Sequence, residues 1–126
     1  SSLLEQLILA AQTRKILAIS SEIDSGLSLP TDVKLAFYRI AQESLNNLIK
    51  HAHATHVSIF YGLRHGVVEL SIEDNGRGFD VTTVPSTSLG LKIMQERAEG
   101  AGARMQVRSQ VGAGTHVIVT WTGPNS

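Results

Sequence analysis

Tyr38-Arg39-Ile40-Ala41-Gln42-Glu43-Ser44-Leu45-Asn46-Asn47-Leu48-Ile49-Lys50-His51-Ala52 is the stretch on which the reading of this chain turns. Its apolar residues recur at helical spacing, so a long helix is predicted from about Asp32 to His51, after Pro30 and with Thr31 as its N-cap. At about 100° per residue, Glu43, Asn47, Lys50 and His51 fall within one stripe, while Phe37, Ala41, Leu45 and Leu48 fall mostly opposite. One face is therefore expected to pack on a sheet. The other presents a carboxylate, an amide, an amine and an imidazole in a row. Mg²⁺ prefers oxygen ligands and keeps several waters, so the Asn47 oxygen together with substrate phosphates is a reasonable site. Lys50 and His51 suit phosphate oxygens, and Glu43 suits a general base. A plain solvated helix face has the same pattern, so spacing alone leaves both readings open.

Outward from this helix, the chain divides into short elements. Ser2 to about Arg14 reads as a helix, with Leu3, Leu4, Leu7, Ile8 and Ala11 at helical spacing, and Ile16 to Ile23 reads as a strand. Val57, Ile59, Tyr61 and Leu63 alternate, as do Val68, Leu70 and Ile72, and the link Arg64-His65-Gly66 makes these a hairpin. A loop without periodicity runs from Asp74 to about Leu89. A helix from about Gly90 to Glu99 ends at Gly100, and strands near Arg104–Arg108 and Thr115–Trp121 flank Gly112-Ala113-Gly114. This order predicts an α/β (α+β) two-layer sandwich, its sheet mixed but mostly antiparallel, with helices on one face.

Composition narrows the class. The 126 residues carry eleven Lys+Arg against eleven Asp+Glu, a formal charge of zero. That balance argues against a generic binder of nucleic acid or anionic membrane, which needs accumulated positive charge. Without cysteine there is no disulfide, thiolate metal site or Cys nucleophile. The absence is compatible with a reducing cytosol. The apolar runs fall far short of the ~20 residues of a membrane-spanning helix. The start at Ser1-Ser2 reads as a piece of a longer protein.

Three further motifs bear on chemistry. Asp74-Asn75-Gly76-Arg77-Gly78-Phe79 follows an alternating strand. Gly76 and Gly78 let a ligand approach the main chain, and Asp74 at the strand's end suits a hydrogen bond from an exocyclic amino group. An ordinary Asn-Gly turn has the same composition. Gly90 opens a helix after a flexible loop, where backbone N–H groups attract phosphate. Gly112-Ala113-Gly114-Thr115 reads equally as a hairpin turn. No Walker A loop exists in the chain. His51, His53 and His56 lack a suitably spaced further ligand, so no physiological metal is expected there. Met94 and Met105 read as core fillers.

Taken in order and spacing, these pieces resemble the catalytic, ATP-binding domain of two-component sensor histidine kinases. The stretch Tyr38–Ala52 is similar to their N box, and Asp74–Phe79 to their first glycine box. Gly90-Leu91 with Met94-Gln95-Glu96-Arg97-Ala98 resembles the second glycine box, and Gly112–Thr115 the third. The resemblance covers about Lys15 to Trp121. The short link between Asp80 and Leu89, too short for a separate phenylalanine-bearing box, resembles the short-lid kinases that pair with helix-turn-helix response regulators. In relatives a glycine often stands where this chain has Ser88.

The resemblance implies a Bergerat ATPase (GHKL-type) fold with nucleotide between helices and sheet beneath a lid. Asp74 would bond the adenine amino group, with Gly76 and Gly78 close to the base and Thr115 supporting that contact through water. Asn47 would ligate Mg²⁺. Lys50 and His51 would lie near the phosphates, and Gly90 with Leu91 would wrap them. Glu43 would prepare an acceptor histidine on a separate dimerisation domain, for relay to a response regulator. None of the five histidines sits in an acceptor context, so the chain is expected to bind ATP without phosphorylating itself. Residues 1–14 would be a helical lead-in from an upstream domain and 15–126 the ATP-binding domain. No contact with nucleic acid or membrane is expected, and the location is cytoplasmic even if the parent protein is membrane-anchored. The alternatives are an anti-sigma-factor-type serine kinase and a nucleotide-binding sensor module without transfer activity.

Overall fold

The structure, a computed structural model, describes residues 2–14, 18–24, 26–48, 54–77 and 88–123. Its elements follow the predicted order: α1 (Ser2–Arg14), β1 (Ala18–Ile23), α2 (Thr31–Asn47), β2 (His56–Arg64), β3 (Val67–Asp74), α3 (Ser88–Gly100), β4 (Arg104–Ser109) and β5 (Thr115–Trp121). They form one five-stranded sheet of order β1-β2-β3-β5-β4. β1 runs parallel to β2, as a connection through α2 allows, and the other pairings are antiparallel. The mixed, mostly antiparallel sheet expected from the sequence is therefore observed.

Alternation decides which side of the sheet is covered. Val57, Ile59 and Tyr61 of β2, Val68, Leu70 and Ile72 of β3, and Val117 and Val119 of β5 are all buried. They meet Val33, Phe37, Ile40, Ala41 and Leu45 of α2, Met94 and Ala98 of α3, and Leu4 and Ile8 of α1 in one cluster. Each such large side chain taken from water contributes roughly 1.5–3 kcal/mol, so this cluster fixes the helices to one face. Phe37 stands edge-on to Tyr61, ring centroids 6.2 Å apart. Burial first, and the Asp24 carboxylate second, push the Tyr61 hydroxyl above its ordinary pKa. Met94 and Met105 fill the core as their sequence setting suggests.

Three boundaries differ from the sequence reading. The N-cap of α2 is Pro30, without a side-chain cap, and Thr31 is the first helical residue. The extended Pro30 backbone turns the chain and its carbonyl accepts the Lys34 N–H at 3.0 Å as the first bond of the helix, which leaves Thr31 inside the helix and not at the N-cap position. α3 begins at Ser88 instead of Gly90, which places Gly90 inside the first turn. The hairpin loop between β2 and β3 is only His65-Gly66, with φ of 57° and 80°. Two positive φ values in succession make a type I′ turn, whose twist matches its strands. The end of α2 is described to Leu48, and the Lys50-His51 turn expected beyond it lies outside the described residues.

At the far end of α3, Ala103 N–H bonds the Ala98 carbonyl at 2.8 Å and Gly102 N–H bonds the Glu99 carbonyl at 3.1 Å. With Gly102 at φ 77° this is a Schellman stop, which aims the chain into β4.

Candidate functional site

The register of the sheet sets the site. Asp74 ends β3, Thr115 opens β5 and Ser109 ends β4, and pairing puts Thr115 between the other two. Because side chains alternate, all three lie on the helix-covered face, one row beyond the apolar rows. A polar row at the rim of the core is the result.

Asp74 is half-buried. Its carboxylate accepts the Gly76 N–H at 2.7 Å, and the backbone N–H of Thr115 as well. Burial pushes its pKa up from the ordinary 3.8; the two N–H donors oppose that, and the neighbouring Glu73 charge adds to it. The two donors fix the carboxylate's direction and leave it lone pairs for a further donor.

Asn75 fastens this turn to the start of β2. Its side-chain oxygen accepts the backbone N–H groups of Thr55 and His56 at 3.0 and 2.9 Å, and its side-chain nitrogen donates to the Thr55 hydroxyl at 3.1 Å. From the other side the turn 112–114 closes in. Gly112 N–H bonds the Arg77 carbonyl at 2.6 Å. Gly114, at φ 82°, lies so close to the Asp74 main chain that a Cβ there would overlap the Asp74 carbonyl oxygen. A glycine is thus required at 114 by both φ and space.

Ser109 completes the group. Its hydroxyl lies 2.9 Å from the Gly114 carbonyl and 2.9 Å from the Thr115 hydroxyl. The sequence reading quotes Asn75 and Arg77 within the glycine motif without giving them a role, and does not single out Ser109. For Ser109 the available signal was its inward strand position two residues after Val107. The pairing partner that makes it matter lies across a turn.

The structure thus brings together Asp74, Gly76 and Thr115. Glu43 and Asn47 stand one helical turn apart on α2, both half-buried, while Ala41, Leu45 and Leu48 are buried. Ser44, between them, is buried and donates its hydroxyl to Met94 Sδ at 3.6 Å, which ties α2 to α3. Gly90 lies in the first turn of α3 and Leu91 packs half-buried against the core. The first-turn N–H groups of a helix have no partner within it and favour anions. Lys50, His51 and Gly78 lie outside the described residues. Among the described residues no cluster of three His, Cys, Asp or Glu could hold a metal. His51 and His53 of the histidine-rich segment are outside them.

Chemically, the donor set fits a purine nucleotide. A fixed carboxylate and a hydroxyl at the sheet's end can accept from an exocyclic amino group. The Asn47 amide oxygen beside Glu43 is a hard donor set of the kind Mg²⁺ accepts when phosphates supply the rest.

Comparisons with known proteins give the family. A family model described as "Histidine kinase-, DNA gyrase B-, and HSP90-like ATPase" matches residues 32–124. The chain is 38% identical over 82 residues to sensor histidine kinase LiaS of Bacillus subtilis, covering 65% of this chain and 23% of that protein. It is 32% identical over 116 residues to sensor protein VraS of Staphylococcus saprophyticus, covering 92% and 33%. The chain therefore spans about a quarter to a third of these relatives. Among solved structures, the Erythrobacter litoralis EL346 blue-light activated histidine kinase superposes with a TM-score of 0.78 at 21% identity, over 94% of this chain and 40% of that one. At that identity the likeness bears on the fold.

Proposed function

The chain belongs to the histidine kinase-, DNA gyrase B- and HSP90-like ATPase family, and from that premise we propose that it is the ATP-binding catalytic domain of a sensor histidine kinase. Membership implies ATP binding. The observation that carries the finer reading is the Asp74 carboxylate, aimed by the N–H groups of Gly76 and Thr115 and held at the rim of the core. Such a carboxylate selects a base with an exocyclic amino group.

In this reading Asp74, Gly76, Gly78 and Thr115 hold adenine. Lys50 and His51 neutralise phosphate charge, and the first turn of α3 at Gly90 and Leu91 adds main-chain N–H groups. Asn47 would hold Mg²⁺, which when bound offsets charge on the phosphate oxygens. Glu43 accepts the proton of an acceptor imidazole on a separate dimerisation domain. That nitrogen then bonds the γ-phosphorus as the bond to the β-phosphate oxygen breaks and ADP leaves. The partners are that domain and a response regulator, in the cytoplasm where ATP is available. Residues 1–14 act as the lead-in, clamped by the buried Leu4 and Ile8.

Among the described residues no helix is long and apolar enough to cross a membrane. The anti-sigma-type kinase is not favoured, because the curated relatives bear sensor-kinase names. The test is calorimetric titration with ATP. Asp74→Asn is expected to lose binding while its circular dichroism stays native; unchanged affinity would remove the base contact from the proposal.

A further inference from the structure

The rim of the sheet holds a hydrogen-bond chain whose direction can be argued by counting protons. A serine hydroxyl has one proton to donate. The Gly114 carbonyl has none, so at 2.9 Å the proton between them belongs to Ser109. Ser109 Oγ also lies 2.9 Å from Thr115 Oγ1. With its own proton committed to Gly114, Ser109 receives there, and the Thr115 hydroxyl is the donor. The Thr115 oxygen is left with lone pairs only. Beside it the Asp74 carboxylate is also an acceptor, held by the Gly76 N–H at 2.7 Å and by the Thr115 backbone N–H.

We infer that Ser109 is a specificity-determining positioning residue. It orients the Thr115 proton away from the ligand, so that at the 6-position of a purine the Thr115 oxygen and the Asp74 carboxylate present lone pairs, which favours a 6-amino group over a 6-oxo group. The inference rests on the adenine-site reading above and deepens it. Ser109 does not touch the base; it acts through Thr115. A 6-oxo group facing two acceptors has no donor to meet. Leaving a buried polar group unmatched costs more than a matched bond gains, so discrimination is the quantity most sensitive to the chain. The glycine turn contributes directly. Gly114, which only glycine can occupy, supplies the carbonyl that takes the serine proton.

The experiment compares ATP with inosine triphosphate, its 6-oxo counterpart, by calorimetric titration of the full 126-residue chain. Thermal melting checks that each variant is folded. Wild type is expected to prefer ATP. Ser109→Ala frees the Thr115 proton to rotate toward the ligand, and the ATP-to-inosine-triphosphate affinity ratio is expected to fall about five- to tenfold, as loss of one oriented hydrogen bond implies. Thr115→Val, which keeps the shape and removes the hydroxyl, is expected to lower the ratio too. Adding Ser109→Ala to it should change the ratio no further.

Equal loss of both nucleotides in Ser109→Ala would mark a structural role and overturn the inference. So would an unchanged ratio in Thr115→Val, whether or not Ser109→Ala folds. Wild type binding both nucleotides equally would remove the adenine-site reading itself. Wild-type preference that Asp74→Asn abolishes and Ser109→Ala leaves alone would remove only the inference.

Discussion

Asn75 grips Thr55 with both ends of its amide: the oxygen takes the Thr55 backbone N–H at 3.0 Å and the nitrogen donates to the Thr55 hydroxyl at 3.1 Å. The His56 N–H, at 2.9 Å, shares the same oxygen. Residues 54–56 lead into β2, and Asn75 follows directly on Asp74. The amide therefore joins the entry to the central hairpin with the turn that carries the Asp74 carboxylate. Asn75→Ala is expected to lower stability by about 1–2 kcal/mol, because these bonds are exposed and each contributes about 0.5–1 kcal/mol net. The drop should appear as a melting temperature lower by several degrees, with ATP binding weakened alongside. Asn75→Asp keeps the acceptor and loses the donor, so an intermediate melting temperature is expected.

Two glycines of one turn separate backbone strain from crowding. Gly112 and Gly114 both have positive φ, 83° and 82°. A Cβ at Gly112 meets nothing within 4 Å, whereas one at Gly114 runs into the Asp74 carbonyl. Gly112→Ala is expected to cost about 1 kcal/mol, the strain of the left-handed conformation. Gly114→Ala adds a main-chain overlap and is expected to cost about 3 kcal/mol or more. Denaturant midpoints of the two variants measure the difference. Equal midpoints would mean that the turn can move away from β3.

The contrast shows what the sequence makes legible. Element order, the hairpin and the one-sided core follow from alternation at Val57, Ile59 and Tyr61 and from the helical spacing of Phe37, Ala41 and Leu45. These are periodic signals, and burial reads them directly. Asp74 and Thr115 were legible as site candidates because each borders a glycine-rich turn. Ser109 was not. Its importance comes from strand register between β4 and β5, a relation between distant residues that no local pattern encodes. The same limit applies at Thr31, where hydroxyl propensity pointed to a cap while the chain turns one residue earlier, at the extended Pro30, and takes Thr31 into the helix.

Asp74 also gives a pH signature in stability. Burial raises its pKa above the ordinary 3.8, so ionising it costs more in the folded chain than in the unfolded one. A group with a raised folded pKa contributes stability that is fully present below the unfolded value and lost as pH rises through the folded one. Asp74→Asn cannot ionise and lacks this term. The stability difference between variant and wild type is therefore expected to shift in the variant's favour as pH rises from 3.8 through the Asp74 midpoint, then to level off. Urea unfolding of both proteins across that window measures it. A difference that moves the other way would mean that the Gly76 and Thr115 donors outweigh burial.

The metal assignment can be tested apart from the base. Asn47 is half-buried on α2, one turn beyond Glu43, with an amide oxygen as its only possible contribution to a hard cation. If that oxygen binds Mg²⁺ along with ATP phosphates, Asn47→Ala removes a ligand that matters only when the metal is present. ATP affinity is then expected to fall about tenfold in Mg²⁺, on the scale of one charge-assisted contact, and by less than about twofold in EDTA. Asn47→Asp keeps an oxygen at the position and adds a charge that favours the metal and opposes the phosphates. Its affinity is expected to depend on Mg²⁺ more steeply than wild type. Equal losses for Asn47→Ala with and without Mg²⁺ would assign Asn47 to the nucleotide alone, leaving the metal to the phosphates and water.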